Sequence, residues 1–204
     1  KMKKLYVFVI AMLLCANVGF CQCPTGAIYF YSQADVDNFA TNYPGCTSIG
    51  GIHIYFEVAN LDGLSQLTSV TGDVEIASYS NGSDVNYPLS DISGLYNLTS
   101  IGGSLHFYNV PNINGSNLFP NLTHIGGHIN ILAKTPAAMN GFNSLQTLDG
   151  NFNVTTEFLS SLSGFSSLTR IGYPGSDYGT FSISDSSLLT QVNGFGSLQY
   201  IRGL

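Results

Sequence analysis

Positive charge is what this sequence has least of. Six of its 204 residues are Lys or Arg, against twelve Asp and Glu, and 9% of the chain is charged in all. Three of the six cations, Lys1, Lys3 and Lys4, open the stretch "KMKKLYVFVIAMLLCANVGFCQC". An apolar run from Leu5 to Ala16 follows, then Gly19 and Cys21 at the small-residue positions of a cleavage before Gln22. That pattern predicts a secretory signal peptide over residues 1–21 and a secreted or cell-surface chain. The run is shorter than the roughly 20 residues of a membrane-spanning helix, so no stable membrane insertion is expected. Lipid anchoring is disfavoured because bulky Leu14 and Phe20 precede Cys15 and Cys21. Without the leader, Lys134, Arg170 and Arg202 face all twelve acidic residues, a net charge of −9. Such a chain cannot neutralise a phosphate backbone, which excludes nucleic acid as a partner.

Cysteine is nearly as scarce. Cys15 and Cys21 leave with the leader, and Cys23 and Cys46 remain as one even pair, expected to bond in an oxidising compartment. No further Cys or suitably spaced His completes a metal site around them. Between them, Ser32 and Asp35 have capping-box spacing, and Val36, Phe39, Ala40 and Tyr43 share one helical face before Pro44 and Gly45. Residues 22–46 thus read as an N-terminal cap: a short helix stapled by a disulfide.

Catalytic signatures are missing too. No glycine has serine two positions on and glycine four on, as a serine-hydrolase elbow requires. "GFGSLQ" at 194–199 lacks the third glycine of a dinucleotide loop. No catalytic residue, cofactor or metal is assigned, and the chain is not expected to be an enzyme.

What is abundant is one phrase. "LTSIGG" at 98–103 returns as "LTSVTG" at 67–72, "LTHIGG" at 122–127, "LQTLDG" at 145–150 and "LTRIGY" at 168–173. Aligned on its second residue, it starts at Thr47, Thr68, Thr99, Thr123, Gln146, Thr169 and Gln199. After each phrase come short alternating segments such as "SLHFY" and "HINIL", then a variable loop, then "LDGLSQL", "ISGLYNL" or a relative. Alternation points every second side chain inward, and glycines allow sharp corners. One such unit cannot bury its apolar face, whereas stacked units, paired in parallel, can. The expected fold is all-β: a solenoid of about six coils over residues 47–204 with a short N-terminal capping helix. Two long units carry their excess in "ASYSNGSDVNYP" and "GYPGSDYG", read as extruded loops.

The phrase "LTSIGG…L.F" followed by "L..L.GL..L" resembles the receptor L-domain family, over Cys23 to Leu204. The opening "QCPTGAIYFYSQADVDNFATNYPGCTSIGG" is similar to the start of secreted bacterial surface proteins built from that domain. The resemblance implies a right-handed, leucine-rich-repeat-like solenoid and a role in recognition or adhesion outside the cell. It brings no catalytic motif. The sequence departs from the pattern at Tyr173, where glycine is expected, and regains register at Gly179. "LQYIRGL" begins a seventh unit and stops, so a solenoid truncated at its C-terminus is expected, with further domains downstream.

With a two-residue gap in the first unit, the outward positions form two columns. One reads His53, Glu75, His106, Asn130, Asn153, Ser182; the other reads Tyr55, Ala77, Tyr108, Leu132, Thr155, Ser184. His53 and His106 flank Glu75 across two strand spacings, about 9.6 Å, a span a bridging zinc would fit, but a solvated polar ladder is the favoured reading. Tyr79 and Tyr87 lie in the first long loop. Aromatic rings beside a few polar groups suit sugars and protein hot spots. The expected binding residues are therefore His53, Tyr55, Glu75, Tyr79, Tyr87, His106 and Tyr108, and the expected partner an extracellular glycan or protein. A structural spacer in a larger surface protein is one alternative. A β-helix polysaccharide-active enzyme is another, but it needs carboxylates on neighbouring strands, and Asp73 and Glu75 share one.

Overall fold

A computed structural model describes residues 22–77, 88–135, 137–173, 175 and 179–202. The expected signal peptide, Tyr79, Tyr87 and most of both long loops lie outside them. Each repeat phrase forms a two-residue strand, at Ser48–Ile49, Ser69–Val70, Ser100–Ile101, His124–Ile125, Thr147–Leu148, Arg170–Ile171 and Tyr200–Ile201. These pair in parallel, each with its predecessor, into one seven-stranded sheet. The threonines of the phrase extend the ladder with side chains. Thr68, Thr99 and Thr123 each donate a hydroxyl to the carbonyl of the preceding phrase, at 3.2, 3.0 and 2.9 Å.

A second seven-stranded parallel sheet forms the long face. Its strands are β1 (Ala27–Ser32), β2 (Gly51–Glu57), β3 (Val74–Ala77), β4 (Leu105–Tyr108), β5 (Ile129–Leu132), β6 (Phe152–Thr155) and β7 (Phe181–Ser184), in that spatial order. A third sheet joins Ala138–Met139, Ser161–Leu162 and Gln191–Val192. In the earlier units, 3-10 turns at Asp62–Leu64, Ser93–Leu95 and Gly115–Asn117 precede the next phrase. The chain is therefore β-rich, with parallel sheets, few helices and no closed barrel among the described residues, as a solenoid-like parallel β fold requires. The departure at Tyr173 does not break pairing: Arg170–Ile171 and β7 both stay in register with their predecessors.

Positive φ falls at Gly45, Gly164, Gly172, Gly175, Gly179 and Gly194; apart from Gly172, the phrase glycines do not serve left-handed backbone. They serve close approach, because a β-carbon on Gly126 would strike the carbonyl of Gly102 in the unit before. Adjacent corners stack backbone on backbone, and only glycine fits.

Beside those glycines runs a second ladder that the sequence reading did not foresee. The backbone N–H of Ser104 donates to Asp73 Oδ1 at 2.6 Å, that of His128 to Ser104 Oγ at 3.0 Å, and that of Asn151 to His128 Nδ1 at 2.9 Å. Asn151 Oδ1 then accepts from Gly179 and Thr180. From Asp73 to Asn151, each corner side chain satisfies a backbone donor of the next unit, which would otherwise be costly to leave unpaired.

Inside, aligned apolar residues form continuous columns. Leu67, Leu98, Leu122, Leu145 and Leu168 are fully buried, as are Ile101, Ile125, Leu148 and Ile171. Phe119, Phe142, Phe165 and Phe195 stack ring on ring at 5.8, 5.1 and 4.9 Å. At the N-terminal end the helix Gln33–Asp37 starts at Ser32 with the expected capping box. Asn38 interrupts it, and a second turn follows at Phe39–Asn42. Val36 and Phe39 are buried and Tyr43 packs against the core, but Ala40, placed on the same face by helical spacing, is exposed. Gln33 ties this cap to the repeat, its amide oxygen accepting from Ala59 and Asn60 N–H. Cys23 and Cys46 are disulfide-bonded, with Cα atoms 5.4 Å apart.

Candidate functional site

The outward residues of the long face are held by strand pairing. His53 pairs with Glu75, Glu75 with His106, His106 with Asn130, Asn130 with Asn153 and Asn153 with Ser182. This is the first expected column, position for position. Tyr108 pairs with Ala77 and Leu132, as the second column requires, although Ala77 is buried.

The column changes character along its length. At its start His53 Nδ1 lies 2.8 Å from Glu75 Oε2, each side chain less than one-fifth exposed. Next, Asn130 donates Nδ2–H to His106 Nδ1 at 3.1 Å, and Asn153 Nδ2 donates to Asn130 Oδ1 at 2.9 Å. With Nδ1 accepting, the His106 ring carries its proton on Nε2 and is neutral. Burial holds its pKa below the ordinary imidazole value, against the raising influence of Asp73 and Glu75. Glu75 is thus engaged by His53 while His106 turns to Asn130. Among the described residues no cluster of three or more His, Cys, Asp or Glu is placed to hold a metal ion. Asp73 is committed to the corner ladder through Ser104 N–H.

The sequence reading missed the strand before the first phrase. β1, "AIYFYS", pairs Ala27 with Gly51, Ile28 with Ile52, Tyr29 with His53 and Phe30 with Ile54. Its alternation matches "GIHIY" at 51–55, and that was the available signal; the segment lacks the phrase and was absorbed into the cap. β1 adds Tyr29 and Tyr31, 47% and 56% exposed, beside His53 and Tyr55. The four rings form one array. Tyr29 stacks on His53 at 4.7 Å, Tyr31 on Tyr55 at 5.1 Å, and Tyr29 lies 6.3 Å from Tyr31, all within 15° of parallel. Burial, and next the Glu75 carboxylate, push the Tyr55 phenol above its ordinary pKa, so it stays a neutral hydroxyl.

A smaller polar cluster sits on the opposite sheet. Arg170 Nη2 donates to Asp149 Oδ1 at 2.6 Å, His124 Nε2 lies 3.7 Å from Asp149 Oδ2, and the Arg170 guanidinium lies 5.3 Å from the centre of the Tyr173 ring. These groups satisfy one another across three units. Among the described residues no helix is long and apolar enough to cross a membrane. No family model, no characterised protein and no solved structure matches this chain.

Proposed function

We propose that this chain is a secreted or cell-surface recognition module, a right-handed, leucine-rich-repeat-like solenoid of about six coils. It binds a glycan or protein through the outward face of its long sheet and neighbouring loops, and does no chemistry of its own. The resemblance to receptor L-domains supports the handedness and the extracellular role. The observation that carries the reading is the aromatic array on β1 and β2, continued by Glu75, His106 and Tyr108. Large rings already fixed by stacking offer contact area at low entropic cost. The later strands, whose outward residues are Asn130, Asn153 and Ser182, fit a spacer better, so recognition belongs to the front of the face.

The test screens the folded chain against an oligosaccharide array and a panel of extracellular proteins, then repeats the best hit with a Tyr55→Ala, Tyr108→Ala double variant. Affinity should fall by at least about 2 kcal/mol while the far-ultraviolet spectrum stays the same. Undiminished affinity would remove Tyr55 and Tyr108, and with them strands β2 to β4, from the contact.

A further inference from the structure

We propose that Tyr29 and Tyr31 form a stacking platform for a neutral, linear polysaccharide of pyranose units, laid along the outer edge of β1. This rests on the recognition reading and narrows it to one ligand class at one place.

β1 is the terminal strand of the long sheet. Tyr29 and Tyr31 are two residues apart on it, and their rings are within 10° of parallel with centres 6.3 Å apart. One face of each ring is taken: His53 lies 4.7 Å from Tyr29, and Tyr55 5.1 Å from Tyr31, at 15° and 12°. The opposite faces point away from the stack, which accounts for exposures near one-half in rings so closely packed on one side. The outcome is two adjacent ring faces backed by a second pair.

Ring geometry and charge then select the ligand. A quaternary ammonium is held by aromatic walls on several sides, and these rings offer a single orientation. Protein hot spots are aromatic anchors in fully desolvated pockets, whereas Tyr29 and Tyr31 stand at an open edge. Nucleotides, through their phosphates, and acidic sugars bring negative charge, and the surroundings repel it. Glu57 pairs with Ser32 on the adjacent strand, and Asp35 accepts from the N–H groups of Tyr31 and Ser32. Lys134, Arg170 and Arg202 all lie in later units. A neutral pyranose satisfies every condition. Its C–H face covers a phenyl ring, its hydroxyls reach water and the tyrosine O–H groups, and successive units of a linear chain meet successive rings.

The experiment titrates the folded chain with cellohexaose, xylohexaose, mannohexaose and chitohexaose, with a hexagalacturonate as acidic control. Tyrosine fluorescence reports binding directly because the chain has no tryptophan. At least one neutral hexamer should bind, with saturation transfer from its C–H protons to the Tyr29 and Tyr31 rings, and hexagalacturonate should not. A Tyr29→Ala, Tyr31→Ala variant should weaken that binding at least about tenfold, while Tyr29→Phe, Tyr31→Phe stays within about threefold. No neutral binding at millimolar sugar, equal binding of hexagalacturonate, or no transfer to these two rings would each overturn the platform. The ring-transfer measurement uses the unaltered chain, so it decides the matter even if the alanine variant does not fold. Sugar binding lost in the Tyr55, Tyr108 variant but kept in the Tyr29, Tyr31 variant would also overturn it, while leaving the broader recognition reading intact.

Discussion

The first and last described units of this stack use the same apolar vocabulary and finish differently. At the N-terminal end, Phe30, Val36, Phe39 and Cys46 are at most 1% exposed, under a helix, a capping box and a disulfide. At the other end Phe181, Phe195, Leu198 and Ile201 are only partly buried. With Val192, itself 45% exposed, they line an open groove of about 450 Å³, and Leu188 in the same unit is 56% exposed. Phe142, Phe165 and Phe195 occupy equivalent places in successive units, yet the first two are fully buried and the third is not. Burial here is conferred by neighbours on both sides and not by the residue, as expected where stability is a sum of unit and interface terms.

That contrast can be broken most forcefully in the phenylalanine stack. Phe142→Ala should cost about 3–5 kcal/mol in urea unfolding, since it opens a cavity between two packed units. Phe195→Ala should cost less than half as much, and equal losses would show that the last unit is as well covered as the middle ones. Next in size is the staple at the sealed end. Replacing Cys23 and Cys46 together by Ser should lower stability by about 3 kcal/mol, and amide exchange should quicken around Val36 and Phe39 before it does around Leu145. The smallest effect concerns pH. Burial depresses the folded-state pKa of His106, with His53 and His128 acting the same way and Asp73 and Glu75 opposing them. Below pH 6.5 the unfolded chain therefore takes up this proton first, and stability falls until the folded value is passed. A His106→Gln variant should lose that component of the acid slope while keeping an amide to meet Asn130. An unchanged slope would place the acid response at the other histidines.

Much of the molecule was legible because the repeat is written in spacing. Once the phrases were aligned, His53, Glu75 and His106 fell into one column, and the strand register agrees. The capping box and the cysteine pair were likewise local signals with local consequences. Two things escaped for physical reasons. β1 carries no repeat phrase, and among the described residues no unit stacks before it, so an alignment anchored on glycine passed over Tyr29 and Tyr31. The corner ladder escaped because its members, Asp73, Ser104, His128 and Asn151, share no side-chain class, only a short acceptor at one place. Ala40 lies at the margin of the apolar face, where helical spacing alone does not decide burial, and it is exposed.

That same ladder bears on how such a chain lengthens over evolutionary time. Every acceptor is a side chain of the earlier unit, and every donor is a backbone N–H, which nearly any residue supplies. A duplicated or transplanted unit therefore meets its successor without a matching mutation there. It needs only a short acceptor of its own, and carboxylate, hydroxyl, imidazole and carboxamide have each sufficed in turn. Growth by copying is chemically permissive in one direction along the chain, and drift at these corners is tolerated as long as some lone pair remains.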